Sequence, residues 1–288
     1  MTKNVVTKKT NGQVAQLASF DTFKSMGFES IDAQDYATPR LKVLMALSPE
    51  VADETVAGAK PGMIYNNVTE ELYDGSKGLL VMPCGFAREY VEWANIGTGS
   101  SAPVNVYPAT SDILSQTTRD AQNKDRLENG NYIETCANHF VYVVNEGGQS
   151  SNGMLGSPCV ITLKSTGYKR SKKFNSLIRS VVPAEWPMFS GLFRVTSTKQ
   201  KNDKGTWHTF DFSFGRLLDQ GNEKDIALFT AAKTFAETVS KGEAKVSQER
   251  AESSEREWNK AITQHVVQQI PCIVLGIGGV LVIETPLI

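Results

Sequence analysis

The sequence predicts a mainly β protein with helical additions, an α+β chain. Short β-rich runs separated by turn residues fill the stretch from Gly62 to Gly221. A helical period follows, in which Ile226, Phe229, Ala232, Phe235, Ala236 and Val239 recur at steps of three and four. An apolar content of 40% over 288 residues suffices for one sizeable core.

Taken in order, residues 1–29 are expected to form a flexible N-terminal arm. Residues 1–19 are polar and lack periodicity, and SFDTFKSMGF begins a short ordered element with Phe20, Phe23 and Phe28 as anchors. The run from Pro39 to Val51 suits either a short helix or a buried strand. MIYNNV, LLVMPCGF and EYVEWANI then read as strands, and the YDGSKG turn has the Asp-Gly signature of a hairpin. In EYVEWA, Tyr90 and Trp93 are three apart and face opposite sides of a strand, so one of them is expected in the core. A polar stretch near 108–138 reads as a long insertion, and loops of that length are usually functional or flexible. HFVYVV and PCVITLKS continue the sheet. FRVTSTKQKNDKGTWHTFDFSF reads as a long hairpin with its tip at Lys199 to Gly205. The arm is thus followed by a domain at 30–220, a C-terminal helical segment at 221–262 in which Gly242 can end the helix, and an apolar tail at 263–288. Fourteen apolar, Gly-rich residues from Ile270 to Ile283 fall short of the roughly 20 that a membrane helix needs. That tail is either a strand or hairpin packed on the domain or on a second subunit, or a non-native extension. Deletion of residues 266–288 separates the two.

No apolar core or small-residue cleavage pattern follows Lys3, Lys8 and Lys9, so a secretory signal is not expected. Cys84, Cys136, Cys159 and Cys272 form no close pair, which fits buried, reduced thiols. Cys136 and His139 have the spacing of half a zinc site, but the second half is missing and no metal is expected. The chain has no phosphate-binding GxxxxGK[ST], and Gly276 to Gly279 lacks the dinucleotide spacing. Cys84 with His139 or His208 matches no nucleophile signature. Neither catalysis nor a cofactor is expected.

Charge is sorted along the chain. Residues 160–210 hold ten Lys or Arg, namely Lys164, Lys169, Arg170, Lys172, Lys173, Arg179, Arg194, Lys199, Lys201 and Lys204, against two acids, Glu185 and Asp203. The whole chain has a net charge of -1, so the remainder is acidic. Such a run can be a solvated face. Here Tyr168, Phe174, Trp207 and Phe210 lie among the cations, the composition of a surface that holds phosphates and stacks bases, while Phe174 and Leu177 equally suit the core of a short helix.

Several long strings, TPRLKVLMALSPEV, GAKPGMIYNNVTEELYDG, LLVMPCGFAREYVEWA and ITLKSTGYKRSKKFNSLI, resemble a family of tailed-phage single-stranded DNA-binding proteins. The likeness covers roughly residues 30–245. It implies an OB-like β-barrel with insertions and a helical element. It also implies sequence-independent binding of single-stranded DNA in replication, recombination and repair, in the cytoplasm of the infected bacterial host. On the KSTGYKRSKKFNS motif it implies contacts by Lys164, Tyr168, Lys169, Arg170, Lys172, Lys173 and Phe174. Arg179, Lys199, Lys201, Lys204 and Trp207 extend this set from the charge and hairpin patterns. Phage replication proteins and a second copy of the chain are further expected partners, and a membrane is not. Proteins of that function commonly end in an acidic tail; here Glu284 is the sole acid after Trp258, which leaves tail-mediated recruitment in doubt. The competing expectation is a phage structural or assembly protein whose basic segment meets an acidic partner, and a further competitor is a nucleic-acid enzyme with scattered carboxylates such as Asp32 and Asp35 or Glu70 and Glu71.

Overall fold

A computed structural model describes residues 26–31, 35–36, 38–95, 102–147, 154–202, 205–244, 246, 248, 274–275 and 281–282. The chain divides into two units, Met1–Tyr36 and Ala37–Ile288. In the first, the described residues include a turn in which the Ile31 amide donates to the Phe28 carbonyl at 3.2 Å. Phe28 is exposed, and Phe20 and Phe23 lie outside the described residues.

The second unit runs β1 (Leu41–Val43), α1 (Pro49–Ala52), β2 (Ile64–Asn66), β3 (Leu72–Tyr73), β4 (Leu79–Trp93), β5 (Asn105–Pro108), β6 (Thr118–Arg119), β7 (Asp125–Arg126), β8 (Tyr132–Val144), β9 (Gly156–Lys164), α2 (Tyr168–Val181), β10 (Gly191–Asn202), β11 (Gly205–Leu217), α3 (Glu223–Ser240), β12 (Val274–Leu275) and β13 (Leu281–Val282). The run from Pro39 is therefore a buried strand followed by a one-turn helix. The two tail strands pair with each other.

The principal sheet has the order β11-β10-β4-β8-β7-β6, with β9 paired to β8 and β5 to β4, and it curls into a half-barrel. A small antiparallel sheet, β1-β2-β3, touches it at two margins. At one, Arg40 bridges to Val160 of β9 and the Val160 amide donates to Pro39 at 2.8 Å. At the other, the Ser197 amide of β10 donates to Gly75 at 2.7 Å. Leu41, Val43 and Ile64 of the small sheet share one core with Val81, Val141, Ile161, Phe174, Phe193 and Phe212.

The two runs expected on either side of Phe86 form one continuous strand. Pro83 lacks a backbone donor, and the β4–β8 register shifts between Pro83 and Gly85, which accommodates the proline in a central strand. A Cβ on Gly85 would lie 2.6 Å from Val239 Cγ1 of α3, so glycine is what lets α3 lie close to the sheet here. Strand alternation then distributes β8 between two layers. Ala137, Val141 and Val143 face the core that includes Phe174 and Ile178 of α2. Tyr142 packs with Leu228 and Ala232 of α3, and the Phe140 and Phe235 rings are 6.4 Å apart. Ile226, expected on the packed face of α3, is exposed, and Leu228 is buried instead.

Two further expectations are corrected. The YDGSKG turn does not join paired strands: β3 belongs to the small sheet and β4 to the large one. Asp74 organises it by accepting from the Ser76 amide at 2.9 Å and the Ser76 hydroxyl at 2.7 Å. Tyr90 and Trp93 are both buried, because Trp93 packs with Tyr132 and Cys136 while Ile113 of the insertion covers Tyr90. The insertion is tied down as well: Glu92 accepts from Tyr107 at 2.7 Å and from Asn131 at 2.6 Å, and Arg126 pairs with Asp120 at 2.6 Å.

Candidate nucleic-acid interface

The lysine-rich segment is the helix α2. Its period places Ser171, Phe174 and Ile178 on the buried side and Lys169, Lys172, Lys173, Ser176 and Arg179 on the exposed side. Phe174 is fully buried. It stacks on Phe212 of β11 at 4.1 Å and meets Phe193 edge-on at 5.5 Å. Its expected contact with DNA is therefore corrected to a core role, since a ring enclosed on all sides has no face for a base. Beside it His139 is buried. Its Nε2 lies 2.8 Å from Ser171 Oγ, and burial pushes its pKa down to about 4. Cys136 points to the opposite face of β8, so strand alternation prevents the two from sharing an ion. Among the described residues no group of three or more His, Cys, Asp or Glu could hold a metal. Burial also raises the Cys84, Cys136 and Cys159 thiols to about 12, far from the thiolate range.

The cations fall into two groups. Four are paired within the protein: Lys164 with Glu134 at 3.5 Å, Arg170 and Lys173 with Asp211 at 2.7 and 3.6 Å, and Arg194 with Glu146 at 2.7 Å. Lys164 is also only partly exposed, with its ammonium 5.6 Å from the Trp93 ring. By contrast, Lys169, Lys172, Arg179, Lys199 and Lys201 are exposed and form no ion pair among the described residues. The Lys172 ammonium lies 5.2 Å from the half-buried Tyr168 ring. Lys204 lies outside the described residues.

Lys199 and Lys201 are on β10 itself, which pairs with β11 as far as Asn202↔Gly205. Their cross-strand partners are His208 and Thr206, whereas Trp207 is opposite Gln200. Alternation thus puts the half-buried Trp207 on the other face of the ribbon from both lysines. Burial, and then the Lys199 ammonium, hold His208 below its ordinary pKa. Asp211 of β11 binds Arg170 and Lys173 of α2, and strand alternation puts it on the face of the ribbon opposite to His208, Lys199 and Lys201.

α2 begins in an unusual way. Gly167 offers no capping side chain, the first turn has no acid, and Lys169 and Arg170 stand there instead. Cations at a helix N-terminus oppose the macrodipole by about 0.3–1 kcal/mol each. The clash between local helix rules and this sequence was legible as a sign of function once the segment is known to be helical.

The model of a family described as Pam3 phage gp34-like protein matches residues 7–245. The chain belongs to this family. It is accordingly a phage protein, as the long strings suggested, and the match takes in the principal sheet, α2 and α3. No curated protein and no solved structure matches the chain. Among the described residues no helix is long and apolar enough to cross a membrane.

Proposed function

We propose that this phage protein binds single-stranded DNA without base specificity, in replication, recombination and repair, and without catalysis. The observation that carries the reading is the set of exposed cations that form no ion pair among the described residues, Lys169, Lys172 and Arg179 on α2 with Lys199 and Lys201 on the ribbon. Ammonium and guanidinium groups so placed exchange counterions for phosphates. The acid-free first turn of α2 favours the same ligand charge. The proposal extends to an OB-like barrel, in which the small sheet completes the half-barrel, and to action in the cytoplasm of the infected host. Phage replication proteins and a second copy of the chain are its proposed partners.

A fluorescent oligonucleotide, single- and double-stranded, titrated at several salt concentrations with and without Mg²⁺, tests this. Five unpaired cations give a log-log salt slope of roughly -3.5, at roughly -0.7 per contact. Replacing Lys169, Lys172 and Arg179 by alanine lowers it to roughly -1.4. A salt-independent affinity, or equal binding by the triple variant, overturns the mechanism.

The burial of Phe174 and the partial burial of Tyr168 and Trp207 leave fewer ring faces for bases than the sequence promised. That favours, as a second reading, a structural or assembly protein whose cations meet an acidic protein surface. Absence of oligonucleotide binding supports it, and Mg²⁺-dependent cleavage supports a nucleic-acid enzyme instead.

A further inference from the structure

At the C-terminal end of α2 a cavity of about 330 Å³ has a floor of Ile178, Val182 and Met188 and a rim of Asn175, Arg179 and Trp186. The chain leaves α2 at Val182 in extended conformation, and the Trp186 amide donates to the Pro183 carbonyl at 2.9 Å. That turn holds the indole beside the helix. Among the described residues, the Asn175 amide and the Arg179 guanidinium bond to no other side chain. A few polar groups around an apolar floor form the composition of a small-molecule site.

The cavity continues the basic face. Lys172, Asn175 and Arg179 are spaced three and four apart, so they form one stripe of α2. Arg170 and Lys173 lie on the other flank, toward Asp211. Lys169 to Arg179 spans about 15 Å of helix. A polyanion following the stripe arrives at Trp186 with a cation beside it.

We infer that this cavity holds a nucleobase of a bound single strand, stacked on Trp186 with Asn175 on its polar edge and Arg179 on the adjoining phosphate. The inference rests on the single-strand reading above. Its occupant is a base rather than an apolar peptide side chain because the rim supplies a cation for a phosphate and an amide for a hydrogen-bonding edge. It also supplies a ring that fully buried Phe174 does not: Trp186 is half-buried and packs in part on the core, and it borders the cavity.

The test uses the full chain and two fluorescent strands of equal length, oligothymidylate and one with every base replaced by an abasic site, so that the phosphate number is constant. The wild type is expected to bind the thymidylate strand about 10-fold more tightly. Trp186→Leu retains an apolar group over the floor but no π face, and it is expected to lose most of that difference with the salt slope unchanged. Trp186→Phe retains it. Arg179→Ala is expected to reduce the slope by roughly 0.7. Equal wild-type affinity for the two strands overturns the base site while leaving single-strand binding intact, and is what a peptide-binding cavity would give. Wild-type behaviour of Trp186→Leu overturns it equally. Failure of the wild type to bind either strand overturns the single-strand reading together with the inference.

Discussion

Phe174 fixes α2 to the sheet. Its ring lies 4.1 Å from that of Phe212 and 5.2 Å from His139, so its removal leaves an unfilled space under the whole basic face. Phe174→Ala is expected to cost about 3–5 kcal/mol, read from the denaturant midpoint. His139 adds a pH term. Burial lowers its folded pKa from 6.5 to about 4, so the unfolded chain takes up the proton more readily. Its contribution is complete above pH 6.5 and is lost as the pH falls toward about 4. Over that window the wild type should lose up to about 3 kcal/mol relative to His139→Gln, measured by urea unfolding at successive pH values. Phe174 shows why its place was hidden in the sequence. An aromatic flanked by lysines satisfies both a core and a stacking pattern, and only the 3.6-residue period, once α2 is known to be a helix, turns it inward.

The two long helices begin under opposite rules. α3 has Asn222 as its cap, with Oδ1 accepting from the Lys224 amide at 3.0 Å and the Asp225 amide at 3.3 Å. Buried Asp225 holds Arg216 from β11, whose guanidinium keeps the carboxyl below the usual carboxylate range. Asn222→Ala is expected to destabilise by about 1 kcal/mol, seen as a lower unfolding midpoint. α2 has neither cap nor acid. The start of α3 was legible because a helical period sets in after Gly221. α2 carried mixed signals, and its helix forms because Phe174 and Ile178 find a core.

At the scale of the molecule, strand content, the long hairpin and the helix after Gly221 were readable from turn residues and periodicity. What was not readable was which strands pair. Asp-Gly marks a turn without saying that its flanks lie in one sheet, and the small sheet's two margins depend on contacts as distant in sequence as Pro39 with Val160 and Gly75 with Ser197. The pairing of cations was hidden for the same reason. Local composition counts Arg170 and Lys173 as available, whereas Asp211 lies outside the basic run and reaches them only through the fold.

Asp211 makes the protein its own counterion at the junction of helix and ribbon. On the proposed function a phosphate that approached there would compete with a carboxylate rather than fill an empty site, so association at Arg170 and Lys173 would be in part an exchange of anions. Asp211→Asn removes that competitor. The variant is expected to bind single strands more tightly and to steepen the salt slope by roughly 0.7, from the one unit of positive charge that the carboxylate neutralises, as measured in the oligonucleotide titration; an unchanged slope would show those cations to be outside the strand's path. If the protein binds single strands as proposed, a carboxylate so placed would also set a threshold: sparsely charged ligands would be turned away, and only a chain of closely spaced phosphates would engage Arg170 and Lys173.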